Sequence, residues 1–114
     1  MALQHKELAE GRWARMPLAE QLANIGSEVE RALNWQAKKN ADYSRRAAER
    51  ALELSDLSLA GGTLKFPQLK EIARLRETLA DYFYGTNEYR STEASLRKYF
   101  MPFSIAARRH IQAA

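Results

Sequence analysis

LAEQLANIGSEVERAL, residues 18–33, is the stretch on which the fold turns. Within it Leu18, Leu22, Ile25, Val29 and Ala32 step by four and three residues, the seam of an amphipathic α-helix. Pro17 stands just before, where its fixed φ suits a first helical turn. The spacing predicts a helix from about Pro17 to Lys38.

The same reading extends outward. Asn40 and Asp42 supply capping side chains for a second helix. Its stripe is Tyr43, Ala47, Ala51 and Leu54, flanked by Ala48, Leu52 and Leu59, and it stops at Gly61–Gly62. An alanine-rich seam lets a neighbouring backbone come close. Pro67 opens a third helix with the stripe Leu69, Ile72, Leu75, Leu79 and Phe83, closed by Gly85, a residue tolerant of the left-handed cap conformation. Ser91 or Thr92 caps a fourth, whose apolar face is Leu96, Tyr99, Phe100, Phe103, Ala107 and Ile111. Pro102 lies inside it, removes the hydrogen bond to the Lys98 carbonyl and predicts a kink. Helices of roughly 30 Å joined by short loops become antiparallel neighbours. The expected fold is all-α, an antiparallel up-and-down four-helix bundle over residues 17–114. Residues 1–16, with Leu3, Leu8, Trp13 and Met16 interrupted at Gly11, read as an N-terminal arm or short helix.

Composition fits a single domain: 114 residues and 13.0 kDa leave no room for a second core. The absence of cysteine excludes disulfides, thiol nucleophiles and cysteine-bound zinc. No apolar run follows Met1 and none is long enough to span a bilayer, so the expected location is the cytoplasm, without membrane. His5 and His110 stand at opposite ends of the chain. Ala107 occupies the position where a Glu-x-x-His di-metal motif needs its glutamate, so no metal is expected. Nor does an arginine stand four to six residues before His110, as one class of helical nuclease requires, and Gly61–Gly62–Thr63 lacks the lysine and spacing of a phosphate loop. The expectation is a non-enzymatic chain without catalytic residues or cofactor.

Two features bear on binding. Thirteen Lys/Arg balance 13 Asp/Glu through Tyr89, whereas Arg90, Arg97, Lys98, Arg108 and Arg109 face only Glu93, so the net +4 belongs to the last segment. On a helix Arg97 and Arg108 fall within about 20° of each other, with Lys98 and Arg109 on a second stripe about 100° away. These four form a candidate basic face for RNA or DNA; the plainer reading is a solvated face whose last arginines complement the helix dipole. The second feature is DYFYGTNEYRS, residues 81–91. Phe83 continues the core stripe, while Tyr82, Tyr84 and Tyr89 suit the end of a bundle or a subunit contact better than a base-stacking surface or an active site.

The segment LAEQLANIGSEVERALNWQAKKN (Leu18–Asn40), with its Asn24–Ile25 pair, leading into SRRAAERALELSDLSLA (Ser44–Ala60), resembles the second and third helices of the small bacterial family named for 23S ribosomal RNA intervening-sequence proteins. The accessory variability proteins of diversity-generating retroelements are related to that family. The resemblance covers about half the chain and departs at Gly26–Ser27, where the family's Ala-Glu-Gly is absent. It implies a four-helix bundle that assembles into homopentamers and, in the retroelement branch, binding of nucleic acid through basic surfaces; it implies no catalytic residues. The combined expectation is a ring-like homo-oligomeric assembly module, with Trp13, Trp35, Tyr82, Tyr84 and Tyr89 as candidate subunit contacts. The alternative is an RNA- or DNA-binding protein using Arg97, Lys98, Arg108 and Arg109.

Overall fold

A computed structural model describes residues 11–113, with side chains to Arg109. The expectations for Leu3, His5 and Leu8, and for the side chains of His110 and Ile111, lie outside the described residues. Four helices follow one another, α1 (Leu18–Ala37), α2 (Ala41–Ala60), α3 (Phe66–Tyr84) and α4 (Glu93–Ala113), preceded by a 3-10 turn at Trp13–Arg15. The chain is an all-α, antiparallel four-helix bundle. None of the helices is long and apolar enough to cross a membrane. The starts of α1 and α3 share one end, here the lower; the starts of α2 and α4 share the upper.

The helices begin where local chemistry permits. The Asn40 carboxamide oxygen accepts the Tyr43 N–H at 3.0 Å, capping α2. Thr92 and Ser95 cap α4 reciprocally: Thr92 Oγ1 accepts the Ser95 N–H at 3.0 Å and Ser95 Oγ accepts the Thr92 N–H at 2.8 Å. α4 continues through Pro102 to Ala113. The expected left-handed cap at Gly85 is absent, because that residue is extended, with φ −100°. Asn87 and Arg90 take positive φ instead, at 57° and 54°. The Asp81 carboxylate gathers the loop by accepting the Glu88 and Tyr89 N–H groups at 2.8 and 3.0 Å.

Packing centres on α1. Leu22, Ile25, Val29 and Leu33 are buried against Leu54, Ile72, Leu79, Leu96 and Phe100. Two close approaches set the distances. On the α2 side, Ala32, Ala47 and Ala48 form a small-residue contact, and the Ser44 hydroxyl donates to the Ala32 carbonyl at 2.8 Å. On the α4 side Gly26 is buried under Phe100, and a Cβ there would lie 2.8–2.9 Å from that side chain. α3 packs on α2, while the α3–α4 pair is the loosest of the four neighbouring pairs.

Trp13 and Met16, just before Pro17, join this core. Trp13, expected at a subunit contact, is 1% exposed. Its indole N–H donates to Ser58 Oγ at 2.9 Å, and Ser58 donates in turn to Gln21 Oε1 at 2.7 Å. Gln21 Nε2 completes the circuit by donating to the Trp13 and Met16 carbonyls at 3.2 and 3.1 Å. Among the described residues no buried side-chain polar atom lacks a partner.

Two substitutions test this packing. Alanine normally favours a helix interior over glycine by about 1 kcal/mol, whereas overpacking costs about 1–3 kcal/mol. Gly26→Ala is therefore expected to lower stability by up to about 2 kcal/mol in urea unfolding, with Phe100→Leu restoring part of the loss; a stabilised Gly26→Ala variant would contradict the close contact. Ser58→Ala orphans the Trp13 N–H and the Gln21 oxygen together. It should cost about 1–3 kcal/mol and red-shift tryptophan emission, and an unchanged melt would refute the buried circuit.

Candidate interaction surfaces

The loose α3–α4 pair leaves an open groove of about 680 Å³. Leu75 and Leu96 form its apolar floor, Pro67 and Thr78 line the α3 wall, and Lys70 and Arg74 stand at the rim. Tyr99 crosses it: the phenol donates to Glu71 Oε1 at 2.9 Å and is the polar link between the two helices. Desolvation first, and then the hydrogen bond and charge of Glu71, hold the Tyr99 phenol well above the ordinary tyrosine range.

Along the outside of α3, Lys70, Arg74, Glu77 and Asp81 fall on one line within about 60°. The lower half of this line is basic and the upper half acidic. Tyr89 stands exposed at its upper end, where its hydroxyl donates to Glu77 Oε2 at 3.3 Å. The neighbouring carboxylate of Glu77 raises the Tyr89 pKa.

The remaining aromatics of residues 81–91 bind the upper end to itself. Tyr82 donates to Gln36 Oε1 at 3.4 Å, Tyr84 donates to the Arg45 carbonyl at 3.1 Å, and Phe83 packs between the two core clusters. Burial, more than the charge of Glu49, raises the Tyr84 pKa. Trp35 stands edge-on to Tyr43 with ring centroids 4.9 Å apart, and Lys38 lies 5.1 Å above its ring. Tyr82, Tyr84 and Trp35 are thus partly spent on contacts within the chain, and Tyr89 is the most open of the residues expected at a subunit contact.

The four cations expected on one face of α4 differ in their surroundings. Arg97 is taken up by α1: its Nε donates to Glu30 Oε2 at 2.8 Å, its Nη2 to Asn34 Oδ1 at 3.0 Å, and its Nη1 to Glu93. Its hydrogen bonds to Glu30 and Glu93 raise its pKa further, so this charge is fixed and neutralised. Lys98 is exposed on the upper half of α4, about 15 Å along the helix from Arg108. Arg108 and Arg109 are exposed near the lower end. Elsewhere the buried Glu28 bridges α1 and α2 through Arg50, at 3.0 Å, while also accepting from Arg31. Among the described residues no cluster of three or more metal-ligating side chains occurs.

Comparison of the chain with protein-family models, with curated proteins and with solved structures found no match in any of the three.

The Tyr99–Glu71 link has a signature at high pH. A phenol raised in the folded state keeps its proton above pH about 10, where the unfolded chain releases it, so stability is full below that pH and falls as pH rises through and beyond it. Tyr99→Phe is expected to flatten the loss of stability between about pH 10 and 12. An unaltered slope would show that the phenol is not held in the groove.

Proposed function

We propose that this protein is a non-enzymatic, homo-oligomeric assembly module whose α3–α4 face takes a second copy of the chain. The observation that carries the reading is the open groove beside a self-complementary charge line. In an antiparallel, two-fold pairing of α3 with α3 of a second copy, Arg74 faces Glu77 and Lys70 faces Asp81, twice each. A face that pairs with itself in this way is what a two-fold contact requires. The apolar floor supplies the area to be buried and the charge line supplies register and direction. Tyr89, at the end of the line, belongs to the rim.

The homopentamer implied by the resemblance calls for a different, head-to-tail contact, so stoichiometry discriminates between the two arrangements. Light scattering should give an even multiple of 13.0 kDa. Arg74→Glu sets like charges opposite one another and is expected to shift the mass to the monomer, and Arg74→Glu with Glu77→Arg should restore assembly. A monomeric wild type, or a double variant as dissociated as the single one, would refute the pairing.

A further inference from the structure

Among the described residues net positive charge is concentrated at the lower end of the bundle, through a juxtaposition that no single helix displays. The buried Trp13 circuit fixes the 3-10 turn against the end of α2, with Ala14 packed on Gly61 and its carbonyl accepting the Thr63 hydroxyl at 3.1 Å. Arg12 and Arg15, on either side of Trp13 and Ala14, are thereby exposed at this end. Lys65 follows two residues after Thr63, immediately before α3. α4 meets α1 antiparallel, with Arg97 on Glu30 and Phe100 on Gly26, and so delivers Arg108 and Arg109 toward the same end.

Five exposed cations are carried toward this end, and none is engaged by a salt bridge among the described residues. The acids nearby offer little compensation. Asp56 is paired with Arg76, Glu71 accepts from Tyr99, and Glu20 of α1 and Glu53 of α2 are engaged as well. Helix dipoles do not cause the imbalance, because two helix starts and two helix ends share this pole and oppose one another. At the upper pole Asp42, Glu49, Asp81, Glu88 and Glu93 offset Lys38, Lys39, Arg45, Arg46 and Arg90.

One aromatic ring stands among these charges. Phe66 is 72% exposed in the first turn of α3, next to Lys65, with Lys70 Nζ 5.7 Å from its ring centroid. Burial does not account for a phenylalanine in this position.

We infer that the lower end binds single-stranded nucleic acid: Arg12, Arg15, Lys65, Arg108 and Arg109 contact successive phosphates and Phe66 stacks on a base. Phosphates supply the charge that the five cations lack, and an unstacked base supplies the flat partner that an open ring accepts. A duplex offers the phosphates without the free base. An anionic bilayer is the poorer fit, because among the described residues the other large exposed apolar side chains stand at the upper end or along the flank of α4. The inference does not require self-assembly through the α3–α4 face, with which it shares only Lys70, the cation over the Phe66 ring.

The test is fluorescence anisotropy with a labelled single-stranded RNA of about 12 nucleotides, its duplex, and vesicles containing phosphatidylserine, across a salt series. Five phosphate contacts predict a log–log salt slope near −3.5 for the single strand. Arg108→Ala with Arg109→Ala should make the slope shallower by about 1.4, and Phe66→Ala should weaken the single strand roughly five- to hundredfold while leaving the duplex unaffected. Thermal melts matching the wild type would confirm that these exposed substitutions leave the fold intact. No RNA binding at low salt, binding to vesicles alone, an arginine double variant equal to wild type, or a duplex held as tightly as the single strand regardless of Phe66 would each overturn the assignment.

Discussion

The contact of Gly26 with Phe100 sets the shape of this molecule. Because position 26 carries no side chain, α4 settles directly on the α1 backbone, with Phe100 filling the space that a Cβ would occupy. The alanines of α2 do the same on the other flank of α1, where Ser44 reaches the Ala32 carbonyl. α1 thus draws two neighbours close through small residues. α3 is attached through α2 and carries larger side chains toward α4, so the fourth side of the bundle stays open across Leu75 and Leu96. Tight packing on one side and an unfilled groove on the other are two consequences of one distribution of small residues.

The second organising element is the polar circuit of Trp13, Ser58 and Gln21. A buried indole, hydroxyl and carboxamide are tolerated because each donor finds an acceptor within the set. The circuit binds the stretch before α1 to the end of α2 and closes the core below Leu22. It also determines where Arg12 and Arg15 stand. A stability device in the core therefore places charges on the surface, and the lower pole acquires a character that the sequence of α4 alone does not reveal.

The helices were legible in the sequence because their stripes are long and periodic and their boundaries carry Pro17, Asn40, Gly61, Pro67 and Thr92. What depended on distances between helices was not. Trp13 stands in a short segment broken by Gly11, and the signal for its burial lies elsewhere, in Gln21 and Ser58, polar residues at seam positions of α1 and α2 that require a buried partner. Glycine at position 85 points to a left-handed cap, yet Asp81 gathers the following loop and the positive φ angles fall at Asn87 and Arg90. The pattern of one helix in isolation conceals that Glu30 of α1 stands opposite Arg97. Phe66 lies outside the apolar stripe of α3, and periodicity alone does not reveal that it is exposed. The open groove has no signature in any one segment, since it arises from how far apart α3 and α4 are held.

Self-assembly through the α3–α4 face is the central claim, and an intermolecular distance tests it most directly. The chain has no cysteine, so Thr78→Cys on the groove wall and Asn24→Cys on exposed α1 each give a single spin label. Pulsed dipolar spectroscopy should find a short, narrow intermolecular distance for the label at position 78 and a longer one for the label at position 24. No dipolar coupling at position 78, or a shorter distance at position 24, would show that the copies do not meet across this face.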